Sequence, residues 1–136
     1  MGLFANFDIS GSAISAQSIR LNTTASNLAN TETVASSAKE AYHSRHPVFQ
    51  AMLDDQSRPE TVGVRMLGII ESKGDAKPIY DPGHALANEE GYVFGSNVNA
   101  VEEMANMISA SRSYQNNVEV LSTSRDLLLR ALSLGN

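Results

Sequence analysis

Both ends of this chain carry a seven-residue apolar repeat, and the middle carries none. The N-terminal stripe runs Phe7, Gly11, Ile14, Ser18, Leu21, Ala25, Leu28. The C-terminal stripe runs Met104, Met107, Ser111, Tyr114, Val118, Leu121, Arg125, Leu128, Leu132. Alternating steps of three and four residues give the period of about 3.5 that marks a coiled-coil seam. A chain that keeps its best packing surfaces at its two ends is built to pack against copies or relatives of itself. The pattern speaks of assembly, not of catalysis.

The first stripe predicts a helix from Ser10 to about Thr31, with Asp8 and Ser10 as N-cap candidates and Gly11 as a weak point. From Ile9 to Thr31 the only charged residue is Arg20. The positions off the stripe are Ser, Thr, Asn and Gln, several of them poor helix formers because their side chains compete for backbone hydrogen bonds. A solvated helix face normally carries Lys and Glu. Small neutral side chains instead allow close approach without burying charge, so the polar face of this helix is also expected to meet protein.

The second stripe predicts a helix from an Asn97 cap to about Ser133. Glu102 and Glu103 in its first turns and Arg130 in its last suit the helix dipole, and Gly135 stands just beyond its end. A helix of about 37 residues reaches about 55 Å. One small domain does not cover so long a helix, and something else must pack along it.

Between the helices, Val62–Glu71 alternates well enough to predict a strand, with a bulge at Gly68. A shorter strand is expected at Val48–Leu53 with Pro47 at its edge. Lys77–Tyr80 is expected to pair with Val62–Glu71 across residues 72–76. Asp81-Pro82-Gly83-His84 reads as a turn, and Gly91–Phe94 as a further extended piece. Asp54–Pro59 forms a second turn cluster, and Ala35–Ala38 reads as flexible loop. The expected fold is therefore mainly α: N- and C-terminal helices in a coiled-coil-like hairpin, with a small β-hairpin element inserted in the middle. The expected organisation is a helical segment over 1–34, a central loop and β element over 35–96, and a long helix over 97–136 that packs with 1–34 as one helical domain.

Composition narrows the function. With 10 Lys and Arg against 15 Asp and Glu, the net charge is -5, and no basic patch with interleaved aromatics offers a nucleic-acid surface. The absence of cysteine removes disulfides and thiolate chemistry. No segment has the roughly 18 apolar residues of a membrane span, so no direct membrane insertion is expected. The first residues lack the basic and apolar regions of a cleavable secretory signal. His43 and His46 are three apart, but Pro47 disfavours helix there and no third ligand accompanies them, so they read as solvated rather than metal-binding. Asp54-Asp55, Glu89-Glu90 and Glu102-Glu103 are adjacent carboxylates that point apart. No nucleophile elbow or phosphate loop occurs. No catalytic residue, cofactor or metal is expected, and the chain does not read as an enzyme.

The run Arg20-Leu21-Asn22-Thr23-Thr24-Ala25-Ser26-Asn27-Leu28-Ala29-Asn30 resembles the N-terminal signature of the bacterial flagellar rod and hook family, whose core Ser-Asn-Leu-Ala-Asn is Ser26–Asn30 here. Leu3-Phe4 and Phe7–Ala13 resemble the proximal rod members of that family. Gly91-Tyr92-Val93, Asn97-Val98-Asn99, Glu102-Glu103-Met104 and Ser109–Leu121 are similar to its entry into the last helix. One departure is Thr33–Tyr42, which lacks the glycine that many members place before the tyrosine.

The resemblance implies a structural subunit of the flagellar basal body, assembling through its terminal helices into the proximal rod in the periplasm. It implies export by the flagellar type III apparatus without signal cleavage, and partners among other rod proteins and copies of the chain itself. The expected assembly interface comprises Ile14, Leu21, Asn22, Asn27, Leu28 and Asn30 on the first helix. On the second it comprises Met104, Met107, Tyr114, Val118, Leu121, Leu128 and Leu132. The alternative is a soluble helical adaptor or chaperone that binds a partner helix in a groove.

Overall fold

In the computed structural model, which describes residues 3–53 and 62–134, the N-terminal pattern forms one helix, α1 (Leu3–Ala29). It begins earlier than expected. Asp8 and Ser10 lie inside it and are not caps. Gly11 does not interrupt it. The C-terminal pattern forms α2 (Ala100–Leu134), 35 residues long. Its cap is Asn99 rather than Asn97: Asn99 Oδ1 accepts from the amides of Val101 at 3.2 Å and Glu102 at 3.4 Å. The two terminal helices pack closely in a coiled-coil-like pair, with a small β insertion between them in the chain.

That insertion is two sheets rather than one hairpin. Strands β2 (Arg45–Leu53) and β3 (Val62–Glu71) form a two-stranded ribbon. β3 has the bounds its alternation predicts. β2 starts before Pro47, which is tolerated because each strand of a two-stranded ribbon is an edge. The Asp54–Pro59 turn cluster lies outside the described residues.

The second sheet has the order β1-β5-β4, formed by β1 (Val34–Ala35), β4 (Lys77–Tyr80) and β5 (Tyr92–Gly95). β4 therefore pairs antiparallel with β5, Pro78 opposite Phe94 and Tyr80 opposite Tyr92, and not with β3 as expected. The physical reason lies in the two connections. Residues 72–76 are held away from a tight turn by Ser72 N donating to Ser44 O and by Asn97 Nδ2 donating to Gly74 O at 2.8 Å. The Asp81–His84 turn instead closes as expected, with His84 N donating to Asp81 O, and Asp81 N then bonds Gly91 O at 2.9 Å, bringing β4 onto β5. Val34, with Ala35 that was expected to be loop, adds the third strand opposite Gly95 and Phe94.

Gly91 completes that loop at φ +82°, where an added Cβ would lie 3.0 Å from Tyr80 Cε2 and 3.1 Å from Pro82 Cβ. Gly91→Ala is expected to destabilise the chain by about 2 kcal/mol, through left-handed strain and the contact with Tyr80. A urea midpoint unchanged from the parent would refute it.

Cα packing divides the chain into two compact units. One holds residues 1–21, 47–68 and 108–136. Within it, Ser12 Oγ donates to Ile9 O at 2.8 Å and accepts from Val64 N at 3.2 Å, which ties the start of β3 to α1. The other unit holds residues 22–46 and 69–107 and contains the whole three-stranded sheet, over the buried side chains of Val93 and Val98.

Candidate assembly surface

The signature at the end of α1 is a clasp. Asn27, only 1% exposed, uses both atoms of its amide. Its Nδ2 donates to Arg45 O at 2.8 Å, and its Oδ1 accepts from Arg45 N at 2.9 Å and from Tyr42 OH at 2.9 Å. Ser26 Oγ lies 3.4 Å from the same phenol, and the Arg45 guanidinium sits 5.6 Å from the centre of the Tyr42 ring. Asn30 ends the helix: its backbone amide bonds Ser26 O and Asn27 O, and its Nδ2 donates to Ser26 O at 2.8 Å. Thr31 and Thr33 hydroxyls take Asn27 O and Asn30 O. Asn27 and Asn30 thus meet backbone groups left by the helix terminus or the following loop.

That loop needs no glycine. Ser37 O accepts from the amides of Glu40 and Ala41, and Ser36 Oγ donates to Glu40 at 2.7 Å. Asn97, expected as a helix cap, is instead a second hub. Its Oδ1 accepts from Ser44 N at 2.8 Å, and its Nδ2 reaches Gly74 O and lies 3.2 Å from His43 Nδ1. Reading the sequence missed Tyr42, Arg45 and Asn97 as anchors. The available signal was Tyr42, a lone aromatic in a polar stretch that is too valuable to leave solvated.

The fully buried positions of the two helices are mostly small or polar. The buried residues of α1 are Ser10, Ala16, Thr23, Thr24 and Asn27, and those of α2 are Glu103, Ala110 and Ser124. The charge-free polar positions of α1 are thus in part spent inside the chain. On α2 Met107, Tyr114, Leu121 and Leu128 are half-buried, whereas Val101, Met104, Ile108, Val118, Val120, Leu127, Leu129, Leu132 and Leu134 are exposed. Small buried residues let helices approach closely, and the large ones are displaced to other faces. A helix apolar on several faces is one that is buried on several sides.

The expected interface residues fall into three groups. Asn22, Met104, Val118 and Leu132 are exposed. Ile14, Leu21, Leu28, Asn30, Met107, Tyr114, Leu121 and Leu128 are half-buried, and Asn27 is buried. Beyond them, Val120, Leu127 and Leu134 recur every seven residues on a further exposed line of α2 that the predicted stripe does not contain. A groove of ≈ 430 Å³ runs beside it, lined by Asn116, Glu119, Val120, Thr123 and Ser124. Among the described residues no three His, Asp or Glu gather to hold a metal, and no helix is long and apolar enough to cross a membrane.

Comparison with known proteins agrees with this geometry. Residues 7–34 match the family described as "Flagella basal body rod protein", and residues 89–134 match "Flagellar basal body rod FlgEFG protein C-terminal". The chain is 47% identical over 135 residues to the flagellar basal-body rod protein FlgC of Salmonella typhimurium, covering 99% of each chain. The FlgC of Yersinia enterocolitica gives the same identity and coverage. The FlgC of Buchnera aphidicola subsp. Baizongia pistaciae is 35% identical over 137 residues, again covering 99% of each. The chain belongs to the FlgC family of flagellar basal-body rod proteins, and is a non-catalytic structural subunit of the rod that assembles through its terminal helices.

Proposed function

We propose that the outward faces of the two terminal helices are the surfaces by which this subunit enters the rod, against other rod proteins and copies of itself. The observation that carries the proposal is the number of large apolar side chains that α2 leaves exposed, among them Val101, Met104, Ile108, Val118, Leu127 and Leu132. Met104, Val118 and Leu132, with Asn22 on α1, form the exposed part of the interface. Ile14, Leu21, Leu28, Asn30, Met107, Tyr114, Leu121 and Leu128 contribute where a neighbour overlaps the helix pair. Asn27 contributes indirectly, by fixing the end of α1. In this reading residues 1–34 and 97–136 act as one assembling helical domain and 35–96 as its appendage. The subunit works in the periplasm, reached through the flagellar type III apparatus without signal cleavage.

Helices with so little apolar burial are marginal until a partner covers them. In dilute solution the unit of residues 22–46 and 69–107 is expected to stay folded, while the distal parts of both helices fray. Circular dichroism at micromolar concentration should then show less than half the helicity that the 27 residues of α1 and 35 of α2 would give together. Full helicity, with ends resistant to protease, would overturn this expectation.

A further inference from the structure

In the β1-β5-β4 sheet the central strand β5 alternates between buried and more open positions, while β4, at the edge, is exposed along its whole length. Val93 and Gly95 are buried, and Ile79, opposite Val93, approaches the Gly95 backbone on that side. Alternation along the strands puts Pro78 and Tyr80 on the other face, directly opposite Phe94 and Tyr92. Tyr80 is 66% exposed and Tyr92 37%, and their rings meet edge to face with centroids 5.2 Å apart. Paired tyrosines with their flanks open to solvent are rigid contact area that loses little entropy on binding, the kind of residue that anchors interfaces.

The loop that follows Tyr80 and leads to Tyr92 carries charge of one sign. The loop that joins β4 to β5 is closed by its own hydrogen bonds and exposes Asp81, Glu89 and Glu90 beside the two tyrosines. Lys77, the basic residue of β4, belongs to the opposite face and donates to Val98 O at 3.4 Å, so it does not offset them. The unit that contains the sheet, residues 22–46 and 69–107, holds nine Asp and Glu against four Lys and Arg, which is the whole net charge of -5. The remaining residues hold six of each sign.

We infer that the Pro78–Tyr80–Tyr92 face is a docking surface for a lysine- or arginine-bearing segment of a different protein. The tyrosine faces take a guanidinium or ammonium group by cation–π attraction, and the Asp81, Glu89 and Glu90 carboxylates complete its charge pairing. A second copy of this chain is the wrong occupant: its own sheet-bearing unit repels this one, and its other unit is electrically neutral. The contact is separate from the assembly of the terminal helices and would join the rod subunit sideways to a basic structural neighbour.

The test is photocrosslinking in motile cells that carry the full chain as their sole copy of this subunit. Benzoyl-phenylalanine is placed at Tyr80 or Tyr92, with Leu134 on α2 as the reference position. The expected product from both tyrosine positions is a link to a protein other than this chain, mapped by mass spectrometry to a segment of net positive charge. Glu89→Lys with Glu90→Lys is expected to lower that yield at least tenfold. A link to a second copy, a link to a segment without net positive charge, no link from either tyrosine position, or a yield unaffected by the charge reversal overturns the inference. The two readings fail separately. Loss of the Leu134 link with the Tyr80 link retained counts against helical assembly, and the converse counts against this surface.

Discussion

Asn27→Leu lowers the stability of the full chain by about 3 kcal/mol, the largest single-residue loss expected here. Leucine matches asparagine in shape, so the change adds no cavity. It strands Arg45 N and Arg45 O and leaves Tyr42 OH with only the longer contact to Ser26 Oγ. Each orphaned group costs about 1–3 kcal/mol when buried. Arg45 is exposed and Tyr42 half-buried, so water recovers part of the loss and the total stays near the lower end. Asn27→Asp separates the contributions. It keeps an oxygen for Tyr42 OH and Arg45 N, and sets a second oxygen against Arg45 O where the amide donated. A loss of about 2 kcal/mol is expected, since one bond becomes a repulsion while two survive. Urea unfolding followed by tyrosine near-ultraviolet circular dichroism measures both. A loss below about 1 kcal/mol for Asn27→Leu would show that the clasp contributes little and that the buried asparagine is held by its neighbours.

Leu127→Glu combined with Val120→Glu abolishes assembly and leaves the free subunit almost unchanged. Val120 is 50% and Leu127 54% exposed, so in the subunit alone the change is a surface substitution, expected to fall within about 0.5 kcal/mol. In the rod the same positions are expected to be covered. Each replacement there forfeits about 1.5–3 kcal/mol of apolar burial and sets an unpaired carboxylate in a dry contact. Loss of even about 4 kcal/mol per contact weakens association roughly a thousandfold. Swimming in soft agar should fall to the level of a strain without the subunit, while the purified variant keeps the parent's urea midpoint. Leu127→Met, which preserves size and polarity, should swim normally. Normal motility of the double glutamate variant would remove this face of α2 from the assembly, and an unstable free subunit would place its role within the fold.

Much of the fold was legible. The two terminal periods gave two helices because a 3.5-residue repeat has few other ways to bury its apolar positions. The alternation of Val62–Glu71 gave β3 with the right bounds. The Ser26–Asn30 signature gave the family. The pairing of β4 was not legible, because a four-residue strand has too little pattern of its own and takes its partner from whichever connection closes first. In the folded chain the Asp81–Gly91 bond holds β4 against β5. Asn97 and Asn99 present the same capping chemistry two residues apart, and only the position of the first helical turn distinguishes them.

The faces of α2 were the least legible. Apolar size marks the buried side of a helix only when the chain itself supplies the cover. Ala110, Ser124 and Glu103 are buried where a hydrophobic stripe would have sought leucine, and Leu127 and Leu134 are exposed. The role of Asn27 was hidden for a similar reason. An asparagine in a polar helix reads as surface until its two partners, Tyr42 and Arg45, are seen to come from the next loop.

The clasp also sets an order of events during folding. Its bonds join residues only 15 and 18 positions apart, whereas those of Asn97 to Ser44 and His43 span 53 and 54. Closing a short loop costs less entropy and takes about 10–100 ns for ten residues, so the contacts of Tyr42 and Arg45 with Asn27 are available long before α2 arrives. The end of α1 and its following loop are thus expected to order before Asn97 and the long helix, which pulsed amide exchange during refolding would check. A subunit that must stay unassembled until it meets its neighbours gains from this sequence: its recognition signature is shaped early, while its adhesive helix is the last part to become ordered.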